Sequence, residues 1–117
     1  MSILIACLSN PETWIDVQKL INTKEFAMIY LVCNQWTKDN YQNPNNAELV
    51  LIDEKKSISE NAEKIVSALQ GKIQELDVGV NLISGTGAEH MAILSAVIKL
   101  GVGMRFVTAD QQGIKEL

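Results

Sequence analysis

The sequence contains few of the residues that mark the commonest catalytic and metal sites. Its 117 residues include one histidine, His90, and two cysteines, Cys7 and Cys33. No glycine run is followed by a P-loop lysine, and the cysteines and histidine do not have the spacing of a metal site. These absences argue against a P-loop nucleotidase and against a metal centre, and they predict that the protein uses no cofactor.

Positive charge and long apolar runs are also scarce. There are 10 Lys and Arg against 14 Asp and Glu, a net charge of −4, whereas binding duplex nucleic acid requires clustered basic residues. The longest uninterrupted apolar run, "FAMIYLVC", is too short to cross a membrane, and the run from Ile3 to Leu8 is too short for a signal sequence. We therefore expect a cytoplasmic protein that binds neither duplex nucleic acid nor a membrane, with Cys7 and Cys33 buried as free thiols.

What the sequence does contain is a regular alternation of short apolar runs and helical segments. The apolar runs are "ILIACL", "FAMIYLVC", "AELVLID", "VGVNLI" and "GMRFVT", with "GIKEL" as a possible sixth strand. This alternation predicts an α/β fold, a three-layer Rossmann-like sandwich with a mostly parallel five- or six-stranded sheet, in one domain over residues 1–117. The first and fourth strands, which are the most apolar, are predicted to be central.

Small polar residues follow the predicted strands at their carboxyl ends, where open α/β sheets bind ligands. Hydroxyl and amide groups with one aromatic side chain suit a nucleotide or another phosphate ester. Asp53 after the third strand and Thr108 to Asp110 after the fifth strand lie at the same predicted edge. We predict a ligand-binding site formed by Ser9, Asn10, Asn34, Trp36, Ser84, Gly85, Thr86, Gly87 and His90.

The turn "SGTG", residues 84–87, is the strongest of these signals. Its glycines permit a positive φ and a close approach of a ligand to the backbone, and the first amides of the following helix point outward unpaired. The same turn also has a purely structural explanation, because Thr86 and Glu89 have the spacing of a capping box. His90, one turn into the helix, either faces the pocket or packs as an ordinary side chain. No catalytic residue is identified.

Three segments of the chain together resemble the CRISPR-associated Rossmann-fold (CARF) domain superfamily. They are "LIACLSNPETW", "IYLVCN" and "VNLISGTGAEHM", and in element order the resemblance covers nearly the whole chain. In the third segment an asparagine and hydroxyl stretch leads into a Gly-Thr pair and then a helical methionine. The matching residues are Asn81, Ser84, Gly85, Thr86 and Met91. One departure from the family pattern is Gly87, which stands where a lysine often follows the Gly-Thr pair.

The resemblance implies a homodimer whose two strand-end pockets join into one site for a cyclic oligoadenylate. The binding residues that it implies on this chain are Ser9, Asn10, Ser84, Gly85 and Thr86. The 117 residues include none of the effector domains of the family, so a stand-alone ligand-binding protein is expected. Some members cleave their ligand without a metal ion, and a metal-independent ring nuclease is therefore an alternative, with Lys38 and Arg105 as the cations to consider. A dimeric interaction protein without a small ligand is the other alternative.

The helix predicted from Ala88 to Leu100 supplies a separate argument for self-association. Its apolar residues extend around more of the helix than one face of a sheet can cover. We expect the excess apolar face to pack against a second copy of the chain across a two-fold axis.

Overall fold

The apolar runs form the strands of one six-stranded sheet in the computed structural model, which describes residues 2–117. Branched aliphatic residues dominate these runs, as expected for strands that are covered on both faces. The strands are β1 (Ile3–Cys7), β2 (Met28–Cys33), β3 (Glu48–Leu51), β4 (Asp77–Asn81), β5 (Gly103–Asp110) and β6 (Gly113–Glu116). The predicted possible sixth strand is thus present.

Four helices connect the parallel strands, and polar side chains cap most of them. They are α1 (Trp14–Asn22), α2 (Gln35–Asn40), α3 (Ile58–Leu69) and α4 (Gly87–Lys99). Asn34, Ser57 and Thr86 each accept a hydrogen bond from a backbone amide in the first turn of α2, α3 and α4 respectively. Asn10 caps the short 3-10 turn Pro11–Thr13 that leads into α1. These caps satisfy amides that a helix leaves unpaired at its start.

The strand order across the sheet is β3-β2-β1-β4-β5-β6. β1 pairs in parallel with β2 on one side and with β4 on the other, and only β6 runs antiparallel to its neighbour β5. The predicted central positions of β1 and β4 are therefore confirmed, as is a mostly parallel sheet.

Alternate residues of β1 divide the core into two halves, because successive side chains of a strand point to opposite faces. Ile3, Ile5 and Cys7 belong to the half that α3 and α4 cover. Leu4 and Ala6 belong to the half that α1 covers. The result is the predicted three-layer sandwich, with helices on both faces of the sheet.

Two further expectations are settled by the fold. Cys7 and Cys33 are buried free thiols, as predicted. The predicted end of the fifth strand at Thr108 is wrong by two residues, because β5 continues through Ala109 to Asp110 and pairs with β6 in a hairpin. In the part of the chain that the structure describes, no helix is long and apolar enough to span a membrane.

Candidate functional site at the carboxyl edge of the sheet

The strand order reverses direction at β1, and the loops that follow β1 and β4 meet there. The chain moves from β1 outward to β2 and β3, then returns to place β4 on the other side of β1. Asn10 lies in the loop after β1, and Ser84 lies in the loop after β4. The Asn10 backbone amide donates to Ser84 Oγ at 2.9 Å, and Ser84 Oγ donates to the Asn10 carbonyl at 3.1 Å. The fully buried Ser84 side chain therefore ties the two loops together.

Gly85 makes the sharp turn between β4 and α4. Its φ of +100° is a conformation that residues with a side chain rarely adopt. A Cβ atom at this position would overlap Cys7 Sγ and lie 3.0 Å from Glu89 Oε1. A glycine is required here because side chains of the protein itself, and not a ligand, pack against the backbone of Gly85.

The predicted capping box at the start of α4 is confirmed. The Glu89 amide donates to Thr86 Oγ1 at 3.2 Å, and the Thr86 amide donates to Glu89 Oε1 at 2.8 Å. The structural explanation of Thr86 is therefore correct, and its hydroxyl and amide both have partners. Within residues 2–117, the amides of Gly87 and Ala88 have no acceptor, so these two donors remain available at the positive end of the helix dipole.

His90 turns back onto the loop. Its Nε2 atom lies 2.7 Å from the Ser84 carbonyl oxygen. Because a carbonyl can only accept, Nε2 must carry the hydrogen in this contact. The half-buried imidazole therefore holds the backbone of the loop after β4, whereas the Ser84 hydroxyl joins that loop to the loop after β1.

The thiol of Cys7 lies beneath this turn, beside Ser9. Burial raises the pKa of Cys7 to about 11, and hydrogen bonding to Ser9 only partly opposes the rise. Burial likewise raises the pKa of Cys33 to about 12. Both thiols are therefore protonated at neutral pH, a state that is unsuited to nucleophilic catalysis. The buried Ser9 hydroxyl has no nitrogen or oxygen partner among the described residues.

Asn34 and Trp36 lie at the carboxyl end of β2 and have different roles. Asn34 Oδ1 accepts a hydrogen bond of 2.8 Å from the Thr37 amide and so fixes the start of α2. The Trp36 side chain is 54% exposed, and its ring lies 5.9 Å from that of Trp14. The Trp14 indole in turn donates to the Leu8 carbonyl at 2.6 Å. The Trp14 ring is therefore anchored to the loop after β1 and contacts the Trp36 ring, which remains accessible to solvent.

Of the two cations that the sequence suggested, Arg105 is excluded from this edge. Its guanidinium donates to Asp77 at 2.6 Å and to Glu116 at 2.7 Å. Asp77 begins β4 and so lies at the amino end of the strand, away from residues 84–87. Lys38 lies in the last turn of α2 and is exposed.

A cleft of about 380 Å³ opens where β2 and β3 end, and the sequence did not indicate it. Two lysines contribute to its lining, Lys55 from the loop after β3 and Lys64 from α3. The sequence could not predict that these lysines lie near Trp36, because they are far from it along the chain. The position of Asp53 at a predicted strand end was the one indication of this part of the sheet edge. The lining residues are Gln35, Trp36, Leu51, Ile52, Asp53, Glu54, Lys55 and Lys64.

Comparison with models of known families and with curated proteins found no match to this chain. The structure brings Asn10, Ser84, Gly85 and His90 together and places Thr86 and Gly87 beside them. Asn34 and Trp36 lie farther along the same edge. Their binding of a ligand stays a prediction. Among residues 2–117, no three His, Cys, Asp or Glu side chains are grouped to hold a metal ion.

Proposed function

We propose that the protein is a CARF-like ligand-binding protein that forms a homodimer and senses a cyclic oligoadenylate or a similar nucleotide anion at a pocket between the two subunits. The observation that carries the proposal is the pair of hydrogen bonds between Asn10 and Ser84, which joins the loops after β1 and β4. These loops leave neighbouring strands at the point where the strand order reverses. Open α/β sheets bind nucleotides at that point.

The start of α4 supplies donors for a phosphate group. The amides of Gly87 and Ala88 lie at the positive end of a helix of 13 residues and have no acceptor in the described chain. A Cβ atom placed on Gly87 would meet no atom within 4 Å. A ligand therefore has room to approach this part of the backbone, whereas the space around Gly85 is filled by Cys7 and Glu89.

The exposed face of α4 supports the second part of the proposal, a homodimer. Met91 is 58% exposed and Ile98 is 67% exposed, and they lie on one face of the helix at a spacing of seven residues. Ile83, also exposed, belongs to the loop that contains Ser84. A second copy that covered this face would lie next to the candidate site and would enclose a ligand between the two loops.

The decisive measurement is binding of labelled cyclic tetra-adenylate to the wild-type protein and to Gly87→Leu. The leucine side chain would project into open space beside the free amides, so we expect the fold to be retained and affinity to fall more than about tenfold, equivalent to about 1.4 kcal/mol. Gly87→Ala is the matched control, since a methyl group adds little bulk and should change affinity less. Equal binding by wild type and Gly87→Leu would contradict the proposed site.

Analysis of the same mixtures for cleaved ligand separates the alternatives. Bound, intact cyclic tetra-adenylate is the expected result for a sensor. A linear product that also forms in the presence of EDTA would instead assign the protein as a metal-independent ring nuclease. Dimerisation without binding of any nucleotide would favour the interaction protein, in which residues 84–87 serve only to turn the chain and cap α4.

A further inference from the structure

Trp36 is an exposed aromatic ring on a short helix whose backbone is held by side-chain hydrogen bonds. Tryptophan carries a large apolar surface, and 54% of the Trp36 residue surface is accessible to a ligand. The helix that holds it is capped by Asn34, and the Asn40 side chain donates to the Trp36 carbonyl at 2.8 Å. The ring is further supported by Trp14. A flat ligand could therefore stack on the exposed part of the Trp36 ring.

The part of the cleft lining that follows β3 is held by hydrogen bonds to α3. The buried side chain of Asn61 on α3 donates to the Asp53 carbonyl at 2.8 Å and accepts from the Asp53 amide at 3.1 Å. The Asp53 carboxylate accepts from the Lys55 amide at 2.9 Å, which orders the next turn of the loop. The cleft therefore does not depend on a mobile loop for its shape.

The charges that line the cleft indicate what kind of ligand suits it. Lys55 and Lys64 form no ion pair with any residue in the described range 2–117. Two carboxylates, Asp53 and Glu54, balance them. A bare anion gains little from such a lining. A molecule that offers an anionic group to the lysines and hydrogen-bond donors to the carboxylates makes use of both.

We propose that this cleft is a subsite for a nucleotide with an exocyclic amino group on its base, the base stacking on Trp36 and the phosphate meeting Lys55 and Lys64. The amino group of adenine has acceptors in Asp53, in Glu54 and in Gln35, whose side-chain nitrogen already donates to Asp39 at 3.0 Å. The cleft volume of about 380 Å³ falls within the range of roughly 300–1,000 Å³ typical of small-ligand sites. The inference rests on the proposed function for the class of ligand but uses residues that the loops after β1 and β4 do not contain.

The two sites lie on the same edge of the sheet at a separation that constrains the ligand. β3 is two strands from β1 and three from β4, so about 10 Å separates the cleft from the end of β1 and about 14 Å separates it from the end of β4. A ligand with more than one nucleotide unit could occupy both, with the base of one unit on Trp36 and the phosphate of another unit at Gly87. A mononucleotide should fill the cleft alone, which allows the subsite to be tested separately.

Titration of AMP into ¹⁵N-labelled protein, followed by NMR, tests this subsite. The chain has two indole N–H signals, from Trp14 and Trp36, and Trp36→Phe identifies the second by its loss. We expect AMP to shift the Trp36 indole signal, IMP to bind more weakly because it lacks the amino group, and inorganic phosphate to leave the signal unchanged. The Trp36 variants lack this signal, so AMP binding to them is followed by the backbone amide signals of Asp53, Glu54 and Lys55. Trp36→Ala should weaken AMP binding roughly 5- to 150-fold, and Trp36→Phe should weaken it less.

Charge variants complete the experiment. Lys64→Gln should weaken AMP binding about two- to fivefold and leave adenosine binding unchanged. Lys56→Gln is the matched control, because Lys56 follows Lys55 in the loop after β3 but does not line the cleft, and it should leave AMP binding unchanged. AMP binding by Trp36→Ala equal to that of wild type, or an equal response to phosphate alone, would overturn the subsite. Gly87→Leu should retain the AMP response at Trp36. Loss of cyclic tetra-adenylate binding in that variant alone therefore reports on the other site.

Discussion

Gly85 shows how a single residue ties the candidate site to the core. Its backbone passes so close to Cys7 that only a hydrogen atom fits between them, and its φ of +100° is unfavourable for any other residue. The same glycine was attractive in the sequence because it would let a ligand approach the backbone. The space is instead used by Cys7, Glu89 and His90, so a substitution at Gly85 tests folding rather than binding.

We expect Gly85→Ala to lower the free energy of unfolding by about 2–5 kcal/mol. About 1–2 kcal/mol follows from the backbone conformation, and about 1–3 kcal/mol from forcing a methyl group against the Cys7 sulfur. Urea denaturation measures the loss. Gly71→Ala is the control, because Gly71 also has a positive φ but its Cβ would meet open space, so only the conformational cost should appear. Equal losses in the two variants would show that the contact with Cys7 is unimportant.

For individual residues, the sequence predicted that the loops after β1 and β4 lie close together, but it did not predict which contacts join them. Ser84 and Asn10 were both identified as candidates, but the bonds that join them span 74 positions and have no local signature. The capping box of Thr86 and Glu89 was recognisable because both partners lie within one turn of a helix. His90 was ambiguous, since its partner is a backbone carbonyl that any residue would supply.

Among the secondary-structure elements, α4 carries the strongest prediction about assembly. Its buried face packs on the sheet and on α3, and Met91 and Ile98 remain exposed on the other side. We expect the wild-type protein to sediment as a dimer at micromolar concentration and Met91→Glu/Ile98→Glu to sediment as a monomer, because burying two carboxylates in an apolar interface is costly. Circular dichroism should show that the variant keeps its fold.

Ile15→Glu is the matched control for this pair. Ile15 is an equally exposed isoleucine on α1, which covers the opposite face of the sheet. The control variant should remain a dimer. A monomeric wild-type protein, or dissociation by Ile15→Glu alone, would contradict an interface formed by α4.

Element order was the most predictable level of the structure, for a clear physical reason. Strands buried on both faces are largely apolar, and β1 and β4 were placed at the centre because of their apolar runs and because the candidate loops follow them. The length of β5 was underestimated because its last residues, through Asp110, are stabilised by pairing with β6 rather than by burial. The cleft beside Trp36 was missed because its walls come from β3 and α3 as well as α2.

For the whole molecule, the two buried thiols predict how stability depends on pH. The pKa of Cys7 rises from an ordinary value of 9.0 to about 11 in the folded state, and that of Cys33 from 9.0 to about 12. Above pH 9 the unfolded chain therefore binds fewer protons than the folded one, and stability falls as pH rises. Each thiol lowers the free energy of unfolding by at most about 1.4 kcal/mol per pH unit between pH 9 and its folded-state pKa. Below pH 9 neither thiol makes stability depend on pH.

Denaturation in urea at pH 8.0, 9.5 and 10.5 checks this expectation. Lysine and tyrosine groups also titrate over this range, so the informative quantity is the difference between wild type and Cys7→Ala/Cys33→Ala. The double variant should be less stable at pH 8 but should lose less stability on going to higher pH. Identical slopes for the two proteins would show that the thiols are not the responsible groups.

The position of β1 between β2 and β4 has a consequence for the order in which the protein is made. β1 is complete once Cys7 has been synthesised, and β2 can pair with it soon afterwards, but β4 begins only at Asp77. Until then a nascent chain on the ribosome holds a fully apolar strand with one unpaired edge and an uncovered face. Such an edge is a template for pairing with other chains. The period of greatest risk of misassembly therefore ends when residues 77–99 leave the exit tunnel and β4 and α4 cover the centre of the sheet.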